Sequence, residues 1–552
     1  MDPLTWTGEL GGVLDPLLRW AAMAWGFGVL GYLAATMVTP GDVPVSVAGR
    51  NFGDMFNQVP TSVAQLFFPA LVIGLALYGL EYAWSAPTLR TWLTETGMPG
   101  WTAAVLTAVA FLALGAVLAW LFQRLTIDVY TTIIRWAFLA IVLLALLYLL
   151  GGVLMPYGET GIVGAIAARF TPVWIALVVT FALSILTKRR TGLYGKLFDS
   201  TIGMIGFGLV MFWVFTAIFA GLFDMIATHD PLTQIVQLKN ELPGVAVPDA
   251  AEDGLFPHYL LGGDNLARDI FSRMVDGAWV VIGIAPLATV FAFMVGITLG
   301  LPAGYYGGKL DTVLSFLANL ILAFPVILLF YLLVTPEIIA TGIPNYMATF
   351  LFVFPIIFLA VLLNSRYHTR PALRLPLLAA VLGVTGWIYL SLISEVGSPV
   401  SILPGWLDAF DVPGGILVVF VSVVFVNSPT VFRIVRGLAL DIKTRDYVAA
   451  AQTRGEGPWY IMLWEILPNA RGPLIVDFCL RIGYTTILLG TLGFFGLGLP
   501  PESPDWGTTI NDGRRLLSIY PHPALPPAFA LLTLVLGLNL LADGLREESL
   551  KD

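Results

Sequence analysis

The sequence is poor in the side chains that carry chemistry and in those that hold water at a surface. Cys479 is the only cysteine, so no internal disulfide can form. It lies in an apolar block, where cysteine behaves as a small hydrophobe rather than as a reactive thiol. The four histidines, His229, His258, His368 and His522, are scattered and none stands at metal-ligand spacing, so no metal site is expected. There is no G-x-x-x-x-G-K-[ST] phosphate loop: Gly195-Lys196 is followed by Leu197, and Gly308-Lys309 by Leu310. Gly493, Gly496 and Gly498 end an apolar run with no strand–helix context, and are read as helix packing or a turn rather than a dinucleotide loop. Charge is scarce as well. Only 12% of the residues are Asp, Glu, Lys or Arg, against about 25% in soluble domains, which excludes a soluble protein of this length. The first apolar block follows an acidic stretch (Asp2, Glu9, Asp15) rather than a basic leader, so no cleavable signal peptide is expected.

Apolar residues are abundant instead. They make up 58% of the 552 residues, with a mean hydropathy of +0.86. They fall in blocks of about twenty, the length a helix needs to cross the hydrocarbon. A β-barrel would show short alternating segments. The pattern predicts an all-α, polytopic membrane protein, in which 56 Gly and 36 Pro are tolerated. About 13 transmembrane helices are expected, at roughly 18–38, 62–84, 101–122, 133–153, 165–187, 202–226, 279–302, 313–334, 347–364, 376–394, 414–432, 474–495 and 525–543.

Orientation follows from the placement of Lys and Arg, not from the net charge of −8. With Lys188-Arg189-Arg190 in the cytoplasm, parity puts the acidic segment 227–278 outside. It puts Lys309, the turn with Arg366, Arg370 and Arg374, the loop 437–473 and the C-terminus (Arg546, Lys551) inside. Arg90 falls on the unfavoured side. The chain is expected to divide into an extension of about five helices, 1–190, and a six-helix core, 191–552, with a two-helix insertion at about 335–412.

The loop 437–473 is the longest polar stretch between the late spans. A short helix is expected from Asp446 to Arg454, with charges that suit its dipole. Gly455 is its stop, and Pro458 opens a second helix that closes at Leu467-Pro468. Ala449, Ala450 and Ala451 give the first helix a narrow flank able to enter a cleft on a partner. An amphipathic helix lying on the membrane is the other reading of the same residues.

The loop resembles the "EAA" motif of binding-protein-dependent ABC importer permeases. It has Ala449-Ala450-Ala451, then Gly455, then Glu465-Ile466-Leu467-Pro468-Asn469. Ala449 replaces the family's glutamate, so any ion pair made by that glutamate is absent. Five further segments resemble the C-type permeases of the dipeptide/oligopeptide/nickel group. They are Gly262-Gly263-Asp264-Asn265-Leu266-Ala267-Arg268-Asp269 with Ser272-Arg273, Ala303 to Asp311, Leu322-Ala-Phe-Pro325, Gly496 to Gly507, and Asp543-Gly-Leu-Arg546. Gly263 and Ala267 depart from that pattern, which has Thr and Gly there. The five N-terminal spans and the inserted pair lie outside it.

The resemblance implies a type I ABC importer permease core and a coupling loop made of Asp446, Tyr447, Ala449, Ala450, Ala451, Gly455, Trp459, Ile466, Leu467 and Pro468. It implies a second homologous permease subunit, two ATP-binding subunits that hold ATP and Mg, an extracytoplasmic substrate-binding protein, and membrane lipids as partners. No nucleic acid partner, no cofactor in this chain and no catalytic residue are expected. The segment with Gly262, Asp264, Arg268, Asp269, Ser272 and Arg273 has two readings. One is a helix at the pathway mouth or a contact for the binding protein. The other is an internal salt-bridged cap with its charges at helical spacing, and the second is preferred. Trp279, where relatives often have Arg, is expected as an interfacial anchor. Asp477 and Arg481 stand one turn apart and are expected to pair. A chain of intramembrane carboxylates, which an ATP-independent secondary transporter or channel would need, is not evident.

Overall fold

The computed structural model describes residues 3–38, 99–122, 127–248, 256–393, 414–497 and 503–549, with isolated positions between them. Lipid offers backbone groups no partners, so a spanning segment closes its hydrogen bonds within itself. Among the described residues the only paired strands are two short antiparallel pairs, Ser46–Val47 with Arg50–Asn51 and Val245–Ala246 with His258–Tyr259, and the rest is helices joined by turns and loops.

The helices are α1 (Gly8–Val38), α2 (Gly100–Phe122), α3 (Ile127–Leu154), α4 (Tyr157–Arg169), α5 (Thr171–Thr187) and α6 (Thr201–Ala217). Then come α7 (Ile270–Tyr306), α8 (Gly308–Leu322), α9 (Val326–Val334), α10 (Ile343–Leu351), α11 (Val353–Arg366) and α12 (Pro371–Ile393). The last are α13 (Gly414–Ile442), α14 (Asp446–Thr453), α15 (Arg471–Phe494), α16 (Trp506–Arg514) and α17 (Leu525–Ser549). Among the described residues ten helices are long and apolar enough to cross a membrane, or eleven if α8 and α9, bent by 81° at their break, count as one span. Pro325 causes that break, because it lacks an N–H and forces the preceding residue out of helical geometry. Of the thirteen expected spans, the one at 62–84 lies outside the described residues. The others fall on helices, the first of them on α1, with 165–187 across α4 and α5, 313–334 across the bent pair α8 and α9, and 347–364 across α10 and α11.

Contacts divide the chain into two units, Trp6–Ala167 and Ala168–Asp552 with Met1–Thr5. Within the larger unit α5 is held to α6 by aromatic rings, Phe170 and Trp174 against Phe212 at 5.1 and 5.4 Å. In the smaller unit α1 packs on α3, where Tyr148 donates to Asp15 and Leu14 meets Leu144.

The larger unit is built on the pairing of α7 with α13. Gly296, Gly300 and Gly304 form a smooth stripe that lets the two backbones meet. A Cβ at Gly300 would come to 2.9 Å from Phe432 O, and one at Gly304 to 2.7 Å from Arg436 O. Arg436 on α13 also grips Asp311 on α8 with both ends of its guanidinium, the second bond at 2.6 Å.

The polar loops collect at two ends. At one, Lys443 Nζ donates to Gly304 O at 2.9 Å, Trp464 Nε1 to Ser365 Oγ at 3.0 Å, and Ser200 Oγ to Glu547 at 3.4 Å. Loops 188–200, 304–309, 366–371 and 437–473 therefore share a side with the C-terminal helix end. At the other, segment 227–273 meets 503–522. The alternation derived from Lys and Arg placement thus describes which loops lie together.

Candidate functional site

The basic-loop end is built from the 437–473 segment. Val448 and Ala451 are fully buried, in a core with Val435 and Ala439 of α13 and with Ile461, Met462 and Ile466. This anchors one face of α14 and leaves Asp446, Tyr447, Ala449 and Ala450 exposed on the other. Ala451 therefore belongs to the packing and not to the outer face. The exposed face is shallow because the side chains at 449 and 450 stop at Cβ.

α14 ends as the sequence predicts. Gly455 takes φ +79°, its N–H reaches Gln452 O at 2.9 Å, and Glu456 N–H reaches Ala451 O at 3.2 Å. This paired closure is the Schellman arrangement, which favours glycine at the left-handed position. A Cβ at Gly455 would meet nothing within 4 Å, so the requirement in this chain is conformational and not steric. Pro458 opens the second helix as expected. That helix runs on to Asn469 and widens to a π turn over Ile461–Ile466. Pro468 accounts for the widening, since it cannot donate to the carbonyl four residues back. Arg454 closes the bend with a bond to Glu465 Oε1 at 2.9 Å. Trp459 and Leu463 pack with Phe358 and Val361 of α11, so the inserted pair is seated against the second loop helix. Leu467 is half-buried and Pro468 exposed.

The opposite end holds a buried charge cluster. Asp264, Arg268, Asp269, Ser272 and Arg273 are all buried. Arg268 donates to Asp264 Oδ2 and to Asp512 Oδ2, both at 2.7 Å. Arg273 reaches Ser503 O at 3.1 Å and lies 4.0 Å from Asp264 Oδ2. The helical spacing expected for this segment is not observed. Residues 264–269 form a turn and the helix begins only at Ile270, because Asp264 Oδ1 takes the N–H groups of Leu266 (2.8 Å) and Arg268 (2.9 Å). Asp269 caps α7, accepting from Phe271 N and Ser272 N at 3.2 Å, and also accepts from Thr228 Oγ1 at 2.7 Å. Gly262 takes φ +83° and pairs its carbonyl with Ile270 N at 3.2 Å. The arrangement has the geometry of a salt-bridged cap.

Sequence reasoning missed the partners in 503–522. Trp506 is fully buried and donates to Met274 O at 2.8 Å. Asp505 caps α16 through Thr508 N at 3.1 Å. Burial pushes the Asp505 carboxyl above its ordinary range, against the hydrogen bonds from Thr508. His522, 3.3 Å from Gly263 O, is pushed below the usual histidine value by burial. The motif from Gly496 to Gly507 was the available signal, though its part at 498–502 lies outside the described residues. Trp279 is half-exposed and lies against Gly221.

Ala267 takes φ +62° and is buried, at the position where the motif has Gly. Left-handed geometry costs an L-residue about 1–2 kcal/mol, against about 0.8 kcal/mol for a buried methyl. Ala267→Gly is therefore expected to raise the thermal unfolding midpoint of the purified chain slightly. A fall of several degrees would mean that the methyl packs better than this balance allows.

Within the membrane region polar groups are few. Asp477 and Arg481 pair at 3.3 Å as expected. Asn427 Nδ2 donates to Thr485 Oγ1 at 3.3 Å, and Thr485 lies 3.4 Å from Thr289. These tie α7, α13 and α15 together by hydrogen bonds alone, without a carboxylate.

Comparison with known proteins places this architecture. Residues 296–547 match the family described as binding-protein-dependent transport system inner membrane component. The glutathione transport system permease protein GsiD of Pectobacterium atrosepticum is 28% identical over 299 residues, 54% of this chain and 74% of that protein. The dipeptide transport system permease protein DppC of Haemophilus influenzae is 27% identical over 338 residues, 61% of this chain and 87% of that protein. DppC of Alkalihalophilus pseudofirmus is 26% identical over 356 residues, 64% of this chain and 87% of that protein. Helices of membrane-crossing length, the loop ending in Gly455 and these matches make this multi-pass chain similar to the inner-membrane permease subunits of binding-protein-dependent transport systems.

Proposed function

We propose that the chain forms half of a translocation pathway for peptides of the di- or oligopeptide kind, and that loop 441–470 is gripped by a separate ATPase. The permease core would be 191–552, with an insertion at 335–412 and an extension at 1–190. The second half would be a homologous permease subunit. Two ATP-binding subunits would carry ATP and Mg, and a substrate-binding protein would deliver cargo at the end formed by 227–273 and 503–522. The basic-loop end and the C-terminus face the cytoplasm in this reading, as the excess of Lys and Arg favours. The chain itself carries out no bond chemistry. The peptide assignment is supported by the relatives named for dipeptide and glutathione transport.

One observation carries the coupling role. α14 buries Val448 and Ala451 and turns a shallow face of Tyr447, Ala449 and Ala450 outward, directly before the left-handed stop at Gly455. Such a knob is rigid on its inner side and open on its outer side, so a push on it is transmitted to α13 and α15. Rigid-body movement of this half against its partner would then give alternating access.

Gly455→Val tests this. A β-branched residue disfavours φ > 0, so the bend opens and the two loop helices lose their relation. ATP-driven uptake by the assembled importer is expected to fall about tenfold or more, for a strain of about 1–2 kcal/mol at the joint. Gly455→Asn tolerates the same backbone and should retain most uptake. Wild-type uptake in Gly455→Val would remove the joint from the mechanism.

A further inference from the structure

The turn between the two inserted helices carries a cluster of cations that the importer reading does not use. α11 ends at Arg366 and α12 begins at Pro371, so only residues 367–370 join the apolar span formed by α10 and α11 to that of α12. A connection that short stays level with the helix ends. Arg366 lies in the last turn of α11, Arg370 in the connection and Arg374 in the first turn of α12. Arg374 N–H bonds to Arg370 O at 3.0 Å, so these two continue one helical turn and share a face.

Among the described residues, no carboxylate lies within ion-pair distance of any of the three guanidinium groups. Arg374 Nε is buried and has no hydrogen-bond acceptor. Around it α12 exposes Leu373, Leu375 and Leu377, so the charge sits where an apolar flank gives way to the helix end. The cluster does not swing freely. Arg366 stacks over Trp464 at 4.7 Å, and Ser365 Oγ accepts from Trp464 Nε1 at 3.0 Å.

We infer that Arg366, Arg370 and Arg374 form a binding site for the headgroup of an anionic phospholipid, next to the second loop helix. Its phosphate oxygens meet the guanidinium groups and supply the acceptor that Arg374 Nε lacks, while its acyl chains run along Leu373 and Leu377 of α12. A lipid fits better than an acidic protein surface, because the turn does not extend past its helices and its flanks are apolar. Basic side chains at the ends of spans attract anionic headgroups in this way.

The test is a lipid titration of the full chain in neutral detergent, read by native mass spectrometry, with phosphatidylglycerol as probe and phosphatidylcholine as comparison. No ATPase is present, so the outcome is independent of the coupling role of the loop. The wild type should retain phosphatidylglycerol in preference to phosphatidylcholine. The triple variant Arg366→Gln, Arg370→Gln, Arg374→Gln should bind it about a hundredfold more weakly, the loss expected for three basic side chains at an anionic surface. The corresponding triple Lys variant should keep most of the binding. Four results would overturn the inference. They are equal retention by the Gln triple, equal binding of phosphatidylcholine, a Lys triple as weak as the Gln triple, and displacement by millimolar inorganic phosphate.

Discussion

Ala450→Arg should reduce ATP-driven uptake by the assembled importer by about a hundredfold while leaving the thermal unfolding of the chain unchanged. Ala450 lies on the exposed face of α14, and arginine is a good helix former. The isolated chain should therefore change by no more than about 0.5 kcal/mol. In the assembled importer the same side chain would stand in the docked face. There it would either hold the partner off or be buried without a counter-ion, a cost of about 3–5 kcal/mol, and about 1.4 kcal/mol is already tenfold. The contrast between the two readouts is the informative part. A loss of uptake together with a loss of stability would indicate damage to the chain. Normal uptake in the Ala450→Arg variant would mean that this face meets no partner.

Asp264→Ala should destabilise the chain by about 3–5 kcal/mol, the usual consequence of removing one member of a buried charge group. Asp264 is the centre of its cluster. It faces Arg268 at 2.7 Å and Arg273 at 4.0 Å, and its other oxygen holds the turn through Leu266 N and Arg268 N. Without it two buried guanidinium groups confront each other and a turn loses both of its side-chain bonds. Asp512 makes one bond to the same Arg268 but is partly exposed, so solvent compensates for much of its removal. Asp512→Ala is expected to cost only about 1 kcal/mol. The two variants can be compared by thermal unfolding in detergent. Equal shifts would show that burial at Asp264 does not set the energetics.

Helix content and position were legible in the sequence because the bilayer imposes one requirement on every span, and twenty-residue apolar blocks answer it. The α14–Gly455–Pro458 sequence was legible for a local reason: the stop and the start are chemical properties of Gly and Pro. Two kinds of feature were not legible. Segment 264–269 carries charges at helical spacing yet forms a turn, since the side chain of Asp264 competes successfully for the backbone N–H groups of residues 266 and 268. The other kind depends on contacts distant in sequence. Nothing local in Asp505, Trp506 or Asp512 shows that they close on 264–274, and nothing local in Ser365 shows that it meets Trp464.

The central claim is that a partner ATPase covers the outer face of α14 from the cytoplasm. Cys479 is buried, so a cysteine introduced by Ala450→Cys can be labelled selectively with a membrane-impermeant maleimide. The account predicts labelling in inside-out vesicles, none in right-side-out vesicles, and protection when the ATPase subunits are bound. Labelling from the outer side, or labelling from the inner side that bound ATPase does not reduce, would contradict it.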